Sequence, residues 1–312
     1  MRKFNITGTC YPEDHYMLDI TKRLDDIVNR VADGEYITIN RGRQYGKTTT
    51  LYHLAERLKN DYVVFSISFE ALSKNVFETN ESMAYAFADL LKSAINSGEV
   101  KNADDIVKDD IYAVVDSAQD YKMIPKILSD LIVRINANTS KPIVVFIDEV
   151  DNASNYESFI ELLRMLRNKY LKRKTVPTFK SVILASVFDI KNLKLKVRPD
   201  SDHQYNSPWN IAVPFKADMS FHEDGIAQML QEYENDHQTG MNISEISQLI
   251  FDYSSGYPFF VSKLCQLIDE EEFGWDKEGF LKAVNNLLKE KNTFFDDLAK
   301  KLISTMLTRV IC

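Results

Sequence analysis

Residues 35–58 read EYITINRGRQYGKTTTLYHLAERL, and the fold follows from how this stretch divides. Tyr36, Thr38 and Asn40 alternate with Ile37 and Ile39, a short β-rich run that predicts a strand. Leu51, Leu54, Ala55 and Leu58 recur at helical spacing and predict a helix with one apolar face. Between the two lies a tight basic loop holding Gly42 and Gly46 and closing on Gly46-Lys47-Thr48. That order suits an anion. Gly46 lets backbone N–H groups curl around one centre, and the unpaired N–H groups and dipole of the helix's first turn point at it. In a phosphate-binding loop of this kind the lysine, here Lys47, reaches the outer phosphates, and the hydroxyl of Thr48 is placed to ligate magnesium. Gly42, Arg43, Gln44, Tyr45, Gly46, Lys47, Thr48 and Thr49 are therefore the candidate phosphate cradle. The full pattern, G-x-x-x-x-G-K-[ST], is imperfect, because Arg41 stands where the first glycine belongs. Alone, the stretch also fits an ordinary helix start with a surface lysine.

The second landmark lies a hundred residues on, at Pro142–Asp151, PIVVFIDEVD. Ile143–Ile147 form an apolar run that predicts a buried strand ending in Asp148 and Glu149. Two adjacent carboxylates at the end of a buried strand are costly unless they hold a cation or a water. The carboxyl end of a parallel strand is also where an open α/β sheet puts its ligand. Paired with the glycine loop, Asp148 becomes the candidate magnesium group, with Thr48, and Glu149 the candidate base for the water that attacks a γ-phosphate.

Other segments fill in a sheet covered on both faces. Tyr62–Phe69 and Lys180–Phe188 read as buried strands, and Asn210–Phe215 as a further strand in which Pro214 suits an edge. Ser186, near the carboxyl end of its strand, is a candidate contact for the γ-phosphate or the attacking water; the alternative is a small residue satisfied by backbone. Helices are expected at Ile20–Val31, Glu81–Ser97, Tyr121–Ala137 and Asn155–Tyr170, with Asn102–Asp110 an acidic, solvated connector. Tyr16–Arg23 is a candidate base pocket or, equally, part of a helix packed on the sheet edge. From Ser220 the texture changes to helices at Glu223–Glu234, Ile243–Tyr253, Pro258–Glu271, Asp276–Glu290 and Thr293–Thr308. Ser220 and Glu223 have capping-box spacing. Gly256 suits a helix C-cap and Pro258 a first helical position. Two domains are expected, an ATPase core at 1–219 and an all-helical lid at 220–312.

Composition sets bounds on partners. The chain has 312 residues, enough for one large domain and a smaller one, and a formal net charge of -8, which argues against polyanion binding by the whole surface. No apolar run approaches the roughly 20 residues that span a bilayer, so no membrane partner is expected. Met1–Thr9 lacks the apolar core of a signal peptide, and Cys10, Cys265 and Cys312 lack metal-ligand spacing, so a cytoplasmic location with reduced thiols is expected. One segment reverses the sign. Between Arg164 and Arg198 stand Arg164, Arg167, Lys169, Lys172, Arg173, Lys174, Lys180, Lys191, Lys194, Lys196 and Arg198, with Asp189 the only acid. Three readings are open: a solvated surface, an arginine finger (Arg164, Arg167 or Arg173) offered to a second copy or a protein partner, and a nucleic-acid contact at 164–198.

Together the P-loop, the strand-borne Asp148-Glu149, the polar-ended next strand and the following helices resemble the additional-strand, catalytic-glutamate branch of P-loop ATPases. More narrowly, NRGRQYGKTTTL, FIDEVD and SGYPFFVSKLC resemble the prokaryotic AAA-like ATPase domain family, related to archaeal ATPases and STAND ATPases. The resemblance implies an α/β fold, a P-loop NTPase three-layer sandwich whose parallel sheet has the order 5-1-4-3-2, followed by a helical lid. It implies ATP and Mg2+ as ligands. It matches Lys47, Thr48, Asp148 and Glu149 to the Walker A and Walker B residues, and Gly256 and Pro258 to a lid turn that approaches the nucleotide. Arg41 departs from the pattern and puts the geometry at the start of the loop in question. Two functions follow: an ATPase that turns over as a switch or motor, and a nucleotide-dependent binding module with little turnover. A small-molecule kinase fits the acid pair and the helical lid less well.

Overall fold

The structure, a computed structural model, describes residues 2–100, 102–187, 209–215 and 218–289. They fall into two compact units, one from the described residues of 20–219 and a second from those of 1–19 and 220–312. Among the described residues, no helix is long and apolar enough to cross a membrane.

The larger unit is built on five parallel strands, β3 (Ile37–Asn40), β4 (Val63–Ser68), β5 (Ile143–Asp148), β6 (Ser181–Ser186) and β7 (Val213–Pro214), in the spatial order β4-β5-β6-β3-β7. Apolar residues occupy both faces of these strands, as a parallel sheet between helices requires. Val145 and Ile147 of β5 join Phe65, Ile67 and Leu184 on one face. Val144 and Phe146 join Ile37, Ile39 and Ile183 on the other. The first face is covered by α3 (Asn80–Asn96), α4 (Asp105–Asp116), α5 (Pro125–Asn138) and α6 (Glu157–Leu171). The second is covered by α1 (Thr21–Ala32) and α2 (Lys47–Leu58), which bury Ile27, Val31, Leu51, Leu54 and Leu58.

Three local expectations need correction. The acidic stretch 102–110 is not a connector. It runs into α4, which buries Val107, Ile111 and Val115, four apart on one face, while Asp105, Asp109 and Asp116 are exposed and Asp110 pairs with Arg134. The helix expected from Tyr121 begins at Pro125; Asp120 and Tyr121 have positive φ, and Ile124, expected inside, is 62% exposed. The edge strand shrinks to two residues. Val213 and Phe215 donate to the carbonyls of Tyr36 and Thr38 at 2.7 and 2.8 Å, so the N–H that Pro214 lacks falls at the position that donates nothing to β3.

The second unit holds α7 (Glu223–His237), α8 (Ile243–Ser254), α9 (Pro258–Glu270) and α10 (Lys277–Lys289) around Ile226, Leu230, Ile250, Val261, Leu264 and Phe280. The residue before α7 is His222, not Ser220, and its side chain makes no cap hydrogen bond. The expected helix at 293–308 lies outside the described residues. Residues 1–19, expected in the core domain, instead belong to this unit. The reason is apolar burial. β1 (Lys3–Phe4) and β2 (His15–Tyr16) pair in parallel and carry Phe4 and Tyr16 into the helical core. The Phe4 ring lies 5.1 Å from Tyr16, 5.2 Å from Tyr233 and 5.9 Å from Trp275. The Tyr16 hydroxyl donates to Asp236 at 2.8 Å, and Arg2 pairs with Glu232 and Asp236. Tyr16 thus belongs to a core, not to a base pocket.

This packing makes Phe4 the anchor of the N-terminal segment. Phe4→Ala is expected to cost about 3–5 kcal/mol of the helical unit's stability. Arg2→Ala, which removes two partly exposed ion pairs and a guanidinium 4.7 Å from the Tyr16 ring centre, should cost less, about 1–2 kcal/mol. Urea unfolding followed by Trp275 fluorescence in a Trp209→Phe background measures both, since the chain has 2 tryptophans.

Candidate active site

β3 ends at Asn40, and the chain turns through residues 41–46 into α2. Gly46 has φ 73° and ψ 24°, the left-handed conformation, and stands immediately before the first helical residue, Lys47. No atom lies within 4 Å of where a Gly46 Cβ would be, so the position demands a backbone shape rather than space. Gln44 adopts the same region with φ 58°. Arg41, the departure from the loop pattern, remains tied to the sheet: its N–H donates to the Ser186 carbonyl at 3.1 Å, and its guanidinium donates to the Asn40 carbonyl at 2.9 Å. Arg43 and Gln44 are exposed, Thr49 is half-buried, and Tyr45 packs on the core beneath α1 and α2.

Lys47 is 5% exposed, and its Nζ donates to the carbonyls of Arg41 and Gly42 at 3.1 and 3.0 Å. The ammonium is folded back across the loop it would serve. Burial pushes its pKa down, while Glu149, Asp148 and Asp151 pull against that shift.

The acid pair arrives from β5. Asp148 is 7% exposed; its Oδ2 accepts from the Thr48 hydroxyl at 2.7 Å, and its Oδ1 from the Glu149 N–H at 2.9 Å. The glycine loop and the acidic strand, a hundred residues apart in sequence, therefore meet at one hydrogen bond. Glu149 takes a left-handed φ of 52° and precedes a short 3-10 turn at Val150–Ala153. Burial raises its carboxyl pKa, and neighbouring Asp148 adds to the shift. Ser186 is fully buried, and its hydroxyl donates to Asn40 Oδ1 at 2.6 Å. Asp151 Oδ2 accepts from the Val187 N–H at 2.5 Å.

Asn40 and Asp151 are the two site residues that the sequence reading passes over. Each had a signal: Asn40 is the polar end of the strand that feeds the loop, and Asp151 is a third acid within three residues of Asp148. For a magnesium ion the donor set fits. Thr48 and Asp148 offer two hard oxygens 2.7 Å apart, and the described residues hold no cluster of three His, Cys, Asp or Glu side chains that would cage another metal. Magnesium is commonly held by one or two carboxylates and completed by substrate phosphates.

With this geometry the profile of the AAA-like domain family matches residues 19–305. The chain belongs to that family. No curated protein matches it in sequence. Among solved structures, it is similar to a Walker-type ATPase of Pyrococcus abyssi, with a TM-score of 0.62 at 14% identity over 98% of this chain and 79% of that one. It is also similar to the ORC2 protein of Aeropyrum pernix in its ADP form, with a TM-score of 0.51 at 14% identity over 90% of this chain and 71% of that one. At such identities the likeness is one of fold.

Two further groups of expected residues of this AAA-like chain have local partners of their own. Gly256 and Pro258 belong to the helical unit. Gly256 has φ 70°, and a Cβ there would sit 2.1 Å from the Phe221 carbonyl oxygen; its own carbonyl accepts from the Phe221 N–H at 2.7 Å. Pro258 is the first residue of α9. Among the described residues of the basic segment, several side chains have partners of their own. Arg164 pairs with Glu157 and Glu161, Lys169 is buried and donates to the Ser129 carbonyl at 2.7 Å, and the Arg173 guanidinium lies 3.9 Å from the Tyr170 ring centre. Arg167 is half-buried. Lys191, Lys194, Lys196 and Arg198, with Asp189, lie outside the described residues.

The Gly256 contacts give that residue a packing reason of its own. Gly256→Ala is expected to cost on the order of 2 kcal/mol or more, from left-handed strain and the clash with Phe221. The loss should appear as a lowered thermal midpoint of the protein without any nucleotide.

Proposed function

We propose that this protein binds ATP with Mg2+ and hydrolyses its terminal phosphoanhydride bond, using the cycle as a conformational switch or motor. The observation that carries the reading is the 2.7 Å hydrogen bond from Thr48 to Asp148, which joins a glycine loop to a strand-end acid beside a buried lysine. No simpler structural role calls for an ammonium, a hydroxyl and two carboxylates at the carboxyl edge of an apolar sheet.

In this reading the backbone N–H groups of Gly42, Arg43, Gln44, Tyr45, Gly46, Lys47, Thr48 and Thr49 cradle the phosphates, and Lys47 neutralises charge on the outer two. Thr48 and Asp148 hold Mg2+, which when bound supplies Lewis-acid polarisation of the phosphoryl oxygens. Glu149 accepts the proton of the attacking water as its oxygen bonds to the γ-phosphorus. The bond from that phosphorus to the bridging oxygen breaks, and the electron pair leaves with ADP. A carboxyl whose pKa is raised by burial is a stronger base than an exposed one. Ser186, set by Asn40, contacts the γ-phosphate or the water. A second copy or a protein partner in the cytoplasm receives the change in conformation.

Lys47→Ala removes a charge-assisted contact worth roughly 1.5–3 kcal/mol, so ATP affinity by calorimetry should fall about tenfold or more. Unchanged affinity removes the site assignment. Glu149→Gln keeps the side chain's shape but not its basicity. It should bind ATP normally and lose on the order of 10²–10⁴ in turnover. A wild type that binds ATP yet turns over no faster than Glu149→Gln would be a nucleotide-dependent binding module instead.

A further inference from the structure

We propose that Asp151 is a positioning residue of this site, pinning the backbone at Val187, and with it Ser186, to the turn that carries Glu149. The inference rests on the ATPase reading above and adds a residue that reading does not use.

The ladder explains why such a tether is needed. β6 pairs with β5 through Ile147↔Leu184 and no further, whereas on its other side it stays paired with β3 as far as Asn40↔Ser186. Beyond Leu184 the β5 flank of the strand therefore loses its backbone partner just where Ser186 has to be placed. Asp151 fills the gap: its Oδ2 takes the Val187 N–H at 2.5 Å, a charge-assisted bond in place of a ladder bond. The turn that presents it is itself held, because Val150 and Ala153 on either side are buried in the core beneath α3 and α6. Asn152 adds a second fastening, donating to the Phe69 carbonyl at 3.2 Å beyond the end of β4. Glu149 and Asp151 thus share one rigid turn. Ser186 hangs between two side-chain bonds, one from its own hydroxyl to Asn40 and one from its neighbour to Asp151.

A tether of this kind acts on the chemical step. Lys47 and Thr48 are carried on α2, and of the three acids acting on Lys47 Asp151 acts less than Glu149 and Asp148, so nucleotide affinity should largely survive its loss while the alignment of Glu149 and Ser186 should not. Steady-state ATP turnover and calorimetric ATP affinity of the full chain test this in wild type, Asp151→Ala and Asp151→Asn. Asp151→Ala should lower kcat at least about tenfold, with KM and ATP affinity within about threefold of wild type. Asp151→Asn keeps an oxygen that can accept from Val187 and should recover kcat to within about threefold of wild type. An undiminished kcat in Asp151→Ala overturns the role. So does a loss in Asp151→Asn as large as in Asp151→Ala, or a fall in affinity that matches the fall in kcat. If Asp151→Ala does not fold, Val187→Pro removes the donor instead, with the same outcomes expected. A wild type without turnover overturns the ATPase reading itself. Turnover in the wild type with no change in the variants overturns only the tether.

Discussion

Everything at the active edge depends on the register of the parallel ladder. Asn40 stands opposite Ser186, Ile147 opposite Leu184, and Asp148 opposite Ser68. These pairings bring the ends of four strands, β3, β4, β5 and β6, to one level, where the glycine loop can close over them. A slip of one residue would turn every side chain of a strand to the other face. In this sheet both faces are buried, so apolar volume on each side must match its helices. Val144 and Phe146 answer to α1 and α2, and Val145 and Ile147 to the helices opposite. The core therefore sets the site's geometry without contributing a reactive group to it.

Charge is concentrated at that edge against the general tendency of a buried surface. Lys47 and Asp148 are nearly inaccessible, and Glu149 and Asp151 stand beside them. Desolvation disfavours the charged forms of Lys47 and Glu149, and for Lys47 the neighbouring carboxylates oppose it. The ammonium of Lys47 meets two loop carbonyls, and Asp148 accepts from a hydroxyl and a backbone N–H. These bonds satisfy the charges within the chain itself; in the proposed function the Lys47 ammonium would exchange its loop carbonyls for phosphate.

The helical unit follows a different logic. Its core is made by i, i+3 and i+4 apolar faces that any helical reading would find, but it is completed by Phe4 and Tyr16 from the far end of the chain. Two-residue strands such as Lys3–Phe4 and His15–Tyr16 have no periodicity long enough to read, and their membership is settled by the aromatic rings they meet. The same limit hid α4, where Asp105, Lys108, Asp109 and Asp110 suggested a solvated connector. Only burial of Val107, Ile111 and Val115 against the sheet's helices makes that stretch amphipathic in effect.

The sequence by itself determined the strand, loop and helix around Gly46-Lys47-Thr48, the acidic strand end at Asp148-Glu149, and the change to helices after Ser220. Each is a local pattern, carried by side-chain period, backbone permissiveness at glycine, or the cost of burying a carboxylate, and so is legible within about ten residues. Tertiary structure decided which unit holds residues 1–19. It gave Gly256 a reason in the Phe221 backbone, paired Arg164 with acids of its own helix and buried Lys169 on the Ser129 carbonyl, and made partners of Thr48 with Asp148, Asn40 with Ser186 and Asp151 with Val187. Those pairings join positions up to 146 apart in the chain. No local preference encodes them, because hydrogen-bond partners at that separation are chosen by the register in which the buried strands pack.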